Sequence, residues 1–122
     1  DHASTFGGNP LAASAALVVL DELLNRGLLA NVKKQGEYLK NRLLDLKSKH
    51  SVIKDVRGMG LMQGIELSEP AGDIISGCME KGLLLVGAGA DVIRFVPPLI
   101  IKETEIDEAL DILDSVFSEK GL

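Results

Sequence analysis

Apolar residues change their spacing several times along the chain, and each change marks an element. Leu11, Ala15, Ala16, Val18, Val19, Leu20, Leu23 and Leu24 surround most of a helical circumference, which predicts a helix over residues 10–25 packed on several sides. Asn9 suits its N-cap, Pro10 fits the first helical position where a missing N–H costs nothing, and Arg26-Gly27 stops it. Over residues 28–49, Val32, Leu39, Leu43 and Leu46 recur at about the 3.6-residue helical period, with lysines, Glu37, Arg42 and Asp45 between them, so one face is core and the other water. Gly36 inside this helix either marks a close packing contact or simply costs about 1 kcal/mol against Ala.

The period then shortens to two. Residues 52–57 and 61–67 read as strands joined around Gly58-Met59-Gly60, with Leu61, Gln63, Ile65 and Leu67 on one face, which makes a β-hairpin with both glycines serving the turn. A short helix over residues 73–80 carries Ile74, Ile75, Cys78 and Met79, and Gly82 closes it. Strands follow over residues 83–86 and 92–96, with Gly87-Ala88-Gly89-Ala90-Asp91 between them. In the second, Val92, Arg94 and Val96 share a face opposite Ile93 and Phe95, so Arg94 is a charge flanked by valines that calls for a partner, and Pro97-Pro98 ends the strand or puts it at an edge. Ile106, Ala109, Leu110, Leu113, Val116 and Phe117 define the last helix, which Thr104 is placed to cap. Its outer residues Glu105, Asp107, Glu108, Asp111 and Asp114 read as solvated charge.

Two helices, then strands interleaved with two more, predict an α+β fold in which helices cover a small, mainly antiparallel sheet. At 122 residues the chain is long enough for a real core, and with no Trp, one Tyr and three Phe that core is aliphatic. A net charge of −5 and the lack of aromatic stacking platforms exclude a nucleic-acid partner or an anionic membrane surface. Cys78 has no second cysteine to pair with and reads as a buried thiol in a reducing compartment. His2 and His50 lie too far apart in sequence to suggest a metal site, and the longest apolar run, residues 11–20, is too short for a bilayer span. The expectation is a cytoplasmic protein without metal.

Candidate chemistry sits at the two ends of this pattern. In His2-Ala3-Ser4-Thr5-Phe6-Gly7-Gly8-Asn9-Pro10-Leu11, hydroxyls and close-approach glycines precede a helix N-terminus, which suits an anion such as phosphate. The same residues also suit a plain glycine turn ahead of a capped helix. Arg94 offers a planar fork that holds a carboxylate through two parallel hydrogen bonds, whether that carboxylate belongs to a ligand or to the protein.

Ser4-Thr5-Phe6-Gly7-Gly8-Asn9-Pro10-Leu11 closely resembles a segment of the class III, pyridoxal-phosphate-dependent aminotransferases, most of all their acetylornithine and ornithine branch. Three later stretches agree in order: Val56-Arg57-Gly58-Met59-Gly60-Leu61-Met62-Gln63-Gly64-Ile65-Glu66, Lys81-Gly82-Leu83-Leu84 and Val92-Ile93-Arg94-Phe95-Val96-Pro97-Pro98-Leu99. The resemblance implies that Thr5 binds the phosphate of pyridoxal 5'-phosphate held by the neighbouring subunit of a homodimer. It makes Ser4 a second cofactor contact that borders the substrate, and Arg94 the partner of the substrate's carboxylate. It implies a phosphate-loop segment and connecting helix over residues 1–27, and over 28–122 the C-terminal small domain of a fold-type I enzyme. The implied reaction is transamination between acetylornithine, or a similar ω-amino donor, and 2-oxoglutarate in arginine biosynthesis.

Such an enzyme also needs a lysine to anchor the cofactor, an acidic residue opposite the pyridine nitrogen and a platform for the ring. In the family these lie upstream of the Ser-Thr-Phe-Gly-Gly segment, whereas this chain opens at Asp1 almost on the motif. Lys33, Lys34, Lys40, Lys47 and Lys49 sit in a polar helical stretch as surface charge. The expectation is the C-terminal piece of a longer enzyme, inactive by itself. The rival reading is a stand-alone α+β regulatory or dimerisation module that binds a small acidic metabolite through Arg94.

Overall fold

The computed structural model describes residues 3–122, so His2 lies outside the described residues. Four helices, α1 (Pro10–Asn25), α2 (Leu28–Lys49), α3 (Gly72–Glu80) and α4 (Glu103–Glu119), accompany four strands. These are β1 (Ile53–Met59), β2 (Met62–Leu67), β3 (Val86–Gly87) and β4 (Val92–Phe95), in the order β1-β2-β4-β3 with every neighbouring pair antiparallel. The α+β expectation holds, with the qualification that helices cover one face of the sheet only.

Alternation decides which face. Val56, Ile65 and Ile93 stand opposite one another across β1, β2 and β4, and all three are buried against α2, α3 and α4. Arg57, Gly64 and Arg94, each one residue along, form the parallel row on the other face. A bulge between Ile53 and Asp55 lets both Ile53 and Val56 turn inward although they are three residues apart. The helices bring Leu39, Leu43 and Leu46 from α2, Ile74 and Cys78 from α3, and Ile106, Leu110, Leu113, Val116 and Phe117 from α4.

Gly36 settles its two readings in favour of contact. A methyl there would run into the Gly60 carbonyl, with the carbonyl carbon only 2.5 Å away, so α2 and the hairpin meet backbone to backbone. The hairpin turn is tighter than the sequence suggested: Met59 pairs with Met62, and only Gly60, at φ +53, and Leu61 lie between them. Gln63 braces the turn by donating from Nε2 to the Gly60 carbonyl at 2.7 Å.

Other local expectations shift. The short helix begins at Gly72 and ends as foreseen, with the N–H of Gly82 donating to Met79 O at 3.0 Å and that of Leu83 to Cys78 O at 2.9 Å. The strand expected over residues 83–86 shrinks to Val86–Gly87, because Leu83 and Leu85 pack into the core around α3 and α4 rather than pairing along β4. Thr104 is not the cap of α4; Lys102 occupies that position, and its backbone N–H donates to the Glu105 carboxylate at 2.8 Å. None of the α1 side chains is buried within the described chain, so the packing on several sides that its pattern calls for is not supplied here: Leu11 is 82% exposed and Leu24 69%.

The acidic face of α4 is more than solvated charge. Asp107 accepts from the Tyr38 hydroxyl at 2.7 Å and from Arg42 Nε at 3.0 Å. Asp114 accepts from Lys49 at 3.1 Å and from buried His50, whose other ring nitrogen bonds the Leu122 backbone oxygen at 2.6 Å. The His50 bond, with Lys49 second, holds the Asp114 carboxyl below the ordinary carboxylate range against a smaller opposing effect of burial. Cys78 is buried and unpaired, and desolvation pushes its thiol up to about 11.

Two predictions follow from this packing. Gly36→Ala is expected to destabilise by about 1–3 kcal/mol despite alanine's better helix propensity, while Gly72→Ala, where a methyl meets nothing within 4 Å, is expected to be neutral or stabilising; urea melts decide, and a stabilised Gly36→Ala variant contradicts the close approach. Asp114→Ala is expected to cost about 1–3 kcal/mol at neutral pH by stranding His50. Because the folded carboxyl titrates below its unfolded value, this contribution is complete above about pH 4 and fades as pH falls further. The same stability gap between wild type and variant at about pH 2.5 as at pH 7 contradicts it.

Candidate functional site

Ser4 directly precedes, and Thr5 opens, an exposed turn over residues 5–8 that leads into α1. The turn is shaped locally. The N–H of Gly7 donates to Ser4 O at 3.4 Å, Gly8 takes φ +77, and Asn9 Nδ2 donates to Phe6 O at 2.5 Å. Asn9 caps α1 as the sequence indicated, its Oδ1 accepting from the Ala12 N–H at 2.9 Å, and Pro10 opens the helix. No acidic side chain stands in the first turn of α1, so its positive end has no carboxylate of its own. Ser4 and Thr5 precede that end in sequence, and among the described residues their hydroxyls make no hydrogen bond, which leaves two donors of the kind a phosphate oxygen accepts. The surroundings of the lysines agree with surface charge: Lys34 pairs with Glu103 at 2.9 Å and Lys49 with Asp114 at 3.1 Å.

Arg94 stands on the sheet face that no helix covers. It pairs in register with Gly64 on one side and Val86 on the other, while Gly64 pairs in turn with Arg57. A shallow hollow runs along this row, lined among others by Arg57, Met62, Gly64, Val92 and Arg94. The partner that the flanking valines seemed to demand is not found: among the described residues the Arg94 side chain makes no hydrogen bond or ion pair. The reason is exposure. The strand turns Ile93 and Phe95 inward and Arg94 outward, so its charge remains hydrated and costs little without a partner.

Arg57 is the neighbour that sequence reading passed over. It donates to Glu66 at 2.6 Å and to Asp55 at 3.0 Å, and these carboxylates, Glu66 first, raise its pKa above the ordinary arginine value. Its charge is therefore answered within the sheet, and Arg94 carries the unanswered positive charge of the row. Strand register was the signal that could have found it, since Arg57 and Arg94 share a face once both strands pair with β2. The structure does not bring the Ser4–Thr5 turn and Arg94 together: α1 meets α2, whereas Arg94 projects from the bare side of the sheet.

The aminotransferase class-III family model matches residues 1–117. The chain is 53% identical over 120 residues to an acetylornithine aminotransferase of Caldanaerobacter subterraneus subsp. tengcongensis, covering 98% of this chain and 30% of that protein. It is 52% identical to an acetylornithine aminotransferase of Gloeobacter violaceus, covering 97% of this chain and 30% of that protein. Thus the chain spans about 30% of the length of the curated relatives it matches. Among solved structures, the acetylornithine aminotransferase of Elizabethkingia anophelis superposes with a TM-score of 0.88 at 31% identity, over 98% of this chain and 32% of that one. An S-selective transaminase from Arthrobacter sp. superposes with a TM-score of 0.89 at 25% identity, over 98% of this chain and 31% of that one. The chain belongs to the class III aminotransferases, a family that works with pyridoxal phosphate.

Proposed function

We propose that this chain is the C-terminal part of an aminotransferase that moves an amino group between acetylornithine and 2-oxoglutarate, a step of arginine biosynthesis carried out in the cytoplasm by a homodimer. The observation that carries the reading is Arg94: an uncommitted guanidinium on an open sheet face, in a chain about half identical to acetylornithine aminotransferases. The S-selective transaminase superposes equally well, so the shared fold does not choose the amino donor; sequence identity to the acetylornithine enzymes favours that donor.

The residues divide the work between two places. Pyridoxal phosphate, when bound, supplies the electron sink that makes amino-group transfer possible. Thr5 and Ser4 contribute hydroxyl donors beside the positive end of α1, and the phosphate they hold is that of the neighbouring subunit, with Ser4 at the substrate's edge. Arg94 clamps the substrate carboxylate through two N–H donors and so fixes which way the amino or oxo carbon faces. Residues 1–27 are then the phosphate-loop segment with its connecting helix and residues 28–122 the small domain, which accords with α1 packing chiefly on α2 among the described residues. The exposed apolar surface of α1, Leu11, Leu17, Val18 and Leu24 among it, is the part that the rest of the enzyme covers.

In the full-length enzyme Arg94→Ala is expected to weaken 2-oxoglutarate binding by about 10- to 100-fold, the worth of a charge-assisted pair. Thr5→Ala is expected to lower cofactor affinity by about tenfold, read from the cofactor retained on gel filtration, with thermal stability of the apoenzyme unchanged. Unaltered steady-state kinetics in the first variant, or unaltered retention in the second, removes the corresponding assignment. The 122-residue chain by itself is expected to convert acetylornithine and 2-oxoglutarate no faster than free pyridoxal phosphate does, and a faster rate contradicts the reading.

A further inference from the structure

Two glycines of the sheet, Gly87 at the end of the short edge strand β3 and Gly64 in the middle of β2, are not required by its packing, and Gly64 is the one that stands between Arg57 and Arg94. At Gly36 and Gly58 a side chain would collide with backbone, but a Cβ on Gly64 would meet Ile93 O at 3.6 Å, Arg57 O at 3.7 Å and Val92 Cγ1 at 3.7 Å, all ordinary contacts. Its φ lies outside the left-handed region. A glycine in the middle of a strand weakens it through chain entropy and offers nothing to pack, so the fold alone would favour a larger residue at this place.

What the missing side chain leaves is space beside Arg94. Residues directly opposite in an antiparallel pair carry their Cβ atoms about 4.5–5.5 Å apart, so any side chain at position 64 would stand against the Arg94 stem on the exposed face. On its other side Gly64 pairs with Arg57, two strands from Arg94 and thus about 10 Å away, with the bare glycine as the floor between them. Glu66 and Asp55 already satisfy Arg57. The row therefore presents one free guanidinium, an empty floor beside it and a neutralised guanidinium as the far wall, a layout that admits one carboxylate and directs it to Arg94.

We infer that Gly64 is a specificity-determining position: its lack of a side chain lets the carboxylate of an amino-acid or 2-oxo-acid substrate lie flat against the sheet and reach both donors of Arg94. The inference rests on the proposed role of Arg94 and names the residue that gives access to it. A larger side chain at this position blocks the carboxylate without disturbing the core, because it points away from Ile65 and the helices. Gly64 touches no reacting atom in this account; it positions by leaving room.

The test is a size series, Gly64→Ala, Gly64→Val and Gly64→Leu, in the full-length enzyme, with Arg94→Ala alongside. Binding of 2-oxoglutarate is read by calorimetry, KM and kcat by steady-state kinetics, and folding by thermal melts. Alanine is expected to stay within about threefold of wild type, and valine and leucine to weaken 2-oxoglutarate binding and raise KM by about tenfold or more, with kcat at saturation within about threefold and Tm not lowered. Valine is a strong strand former and keeps the test valid should the leucine variant fold poorly. Wild-type affinity in the valine variant, or a loss that follows Tm rather than side-chain size, overturns the inference. If Arg94→Ala weakens binding while Gly64→Val does not, the glycine's role alone fails; if Arg94→Ala has no effect, the reading of Arg94 fails and takes this one with it.

Discussion

Burial of Val56, Ile65 and Ile93 in one row across three strands is the constraint from which the functional face follows. Side chains alternate strictly along a strand, so sealing that row against α2, α3 and α4 compels the adjacent row, Arg57, Gly64 and Arg94, to face out. A slip of one residue in the register of β4 would bury Arg94 and expose Ile93 and Phe95, exchanging an apolar contact for an unpaired buried charge. The energy that closes the core thereby also fixes the guanidinium in place. No separate device for presenting Arg94 is needed.

The second constraint is the close meeting of α2 with the hairpin. Gly36 and Gly60 allow two backbones to touch, which brings Leu39 and Leu43 over the sheet and anchors the turn that Gln63 braces. At the far end of α2, His50 and Asp114 tie that helix to α4 and to the last residue of the chain. The covered side is thus pinned at both ends of its longest helix, while among the described residues no helix packs on the opposite side.

Much of this was legible in the sequence, because burial imposes periodicity. The 3.6-residue spacing in α4 and the alternation in β2 and β4 named nearly all of the buried residues of those elements, and Asn9, Pro10 and Gly82 marked helix ends through local backbone chemistry. What was not legible depends on partners distant in sequence. Whether Gly36 was a contact or a weakness turned on Gly60, and the company Arg94 keeps turned on strand register. Flanking valines called for a partner to the Arg94 charge; the structure shows an exposed charge without one among the described residues. The apolar circumference of α1 predicted packing on several sides, yet among the described residues none of its side chains is buried. Thr104 misled because capping by a residue type was weighed where a backbone bond to Glu105 does the capping.

A crystal structure of the full-length enzyme with a non-reactive dicarboxylate bound tests the central claim most directly. The account predicts one ligand carboxylate lying over Gly64 with both oxygens accepting from Arg94. A carboxylate held elsewhere, with Arg94 turned to solvent, would contradict it.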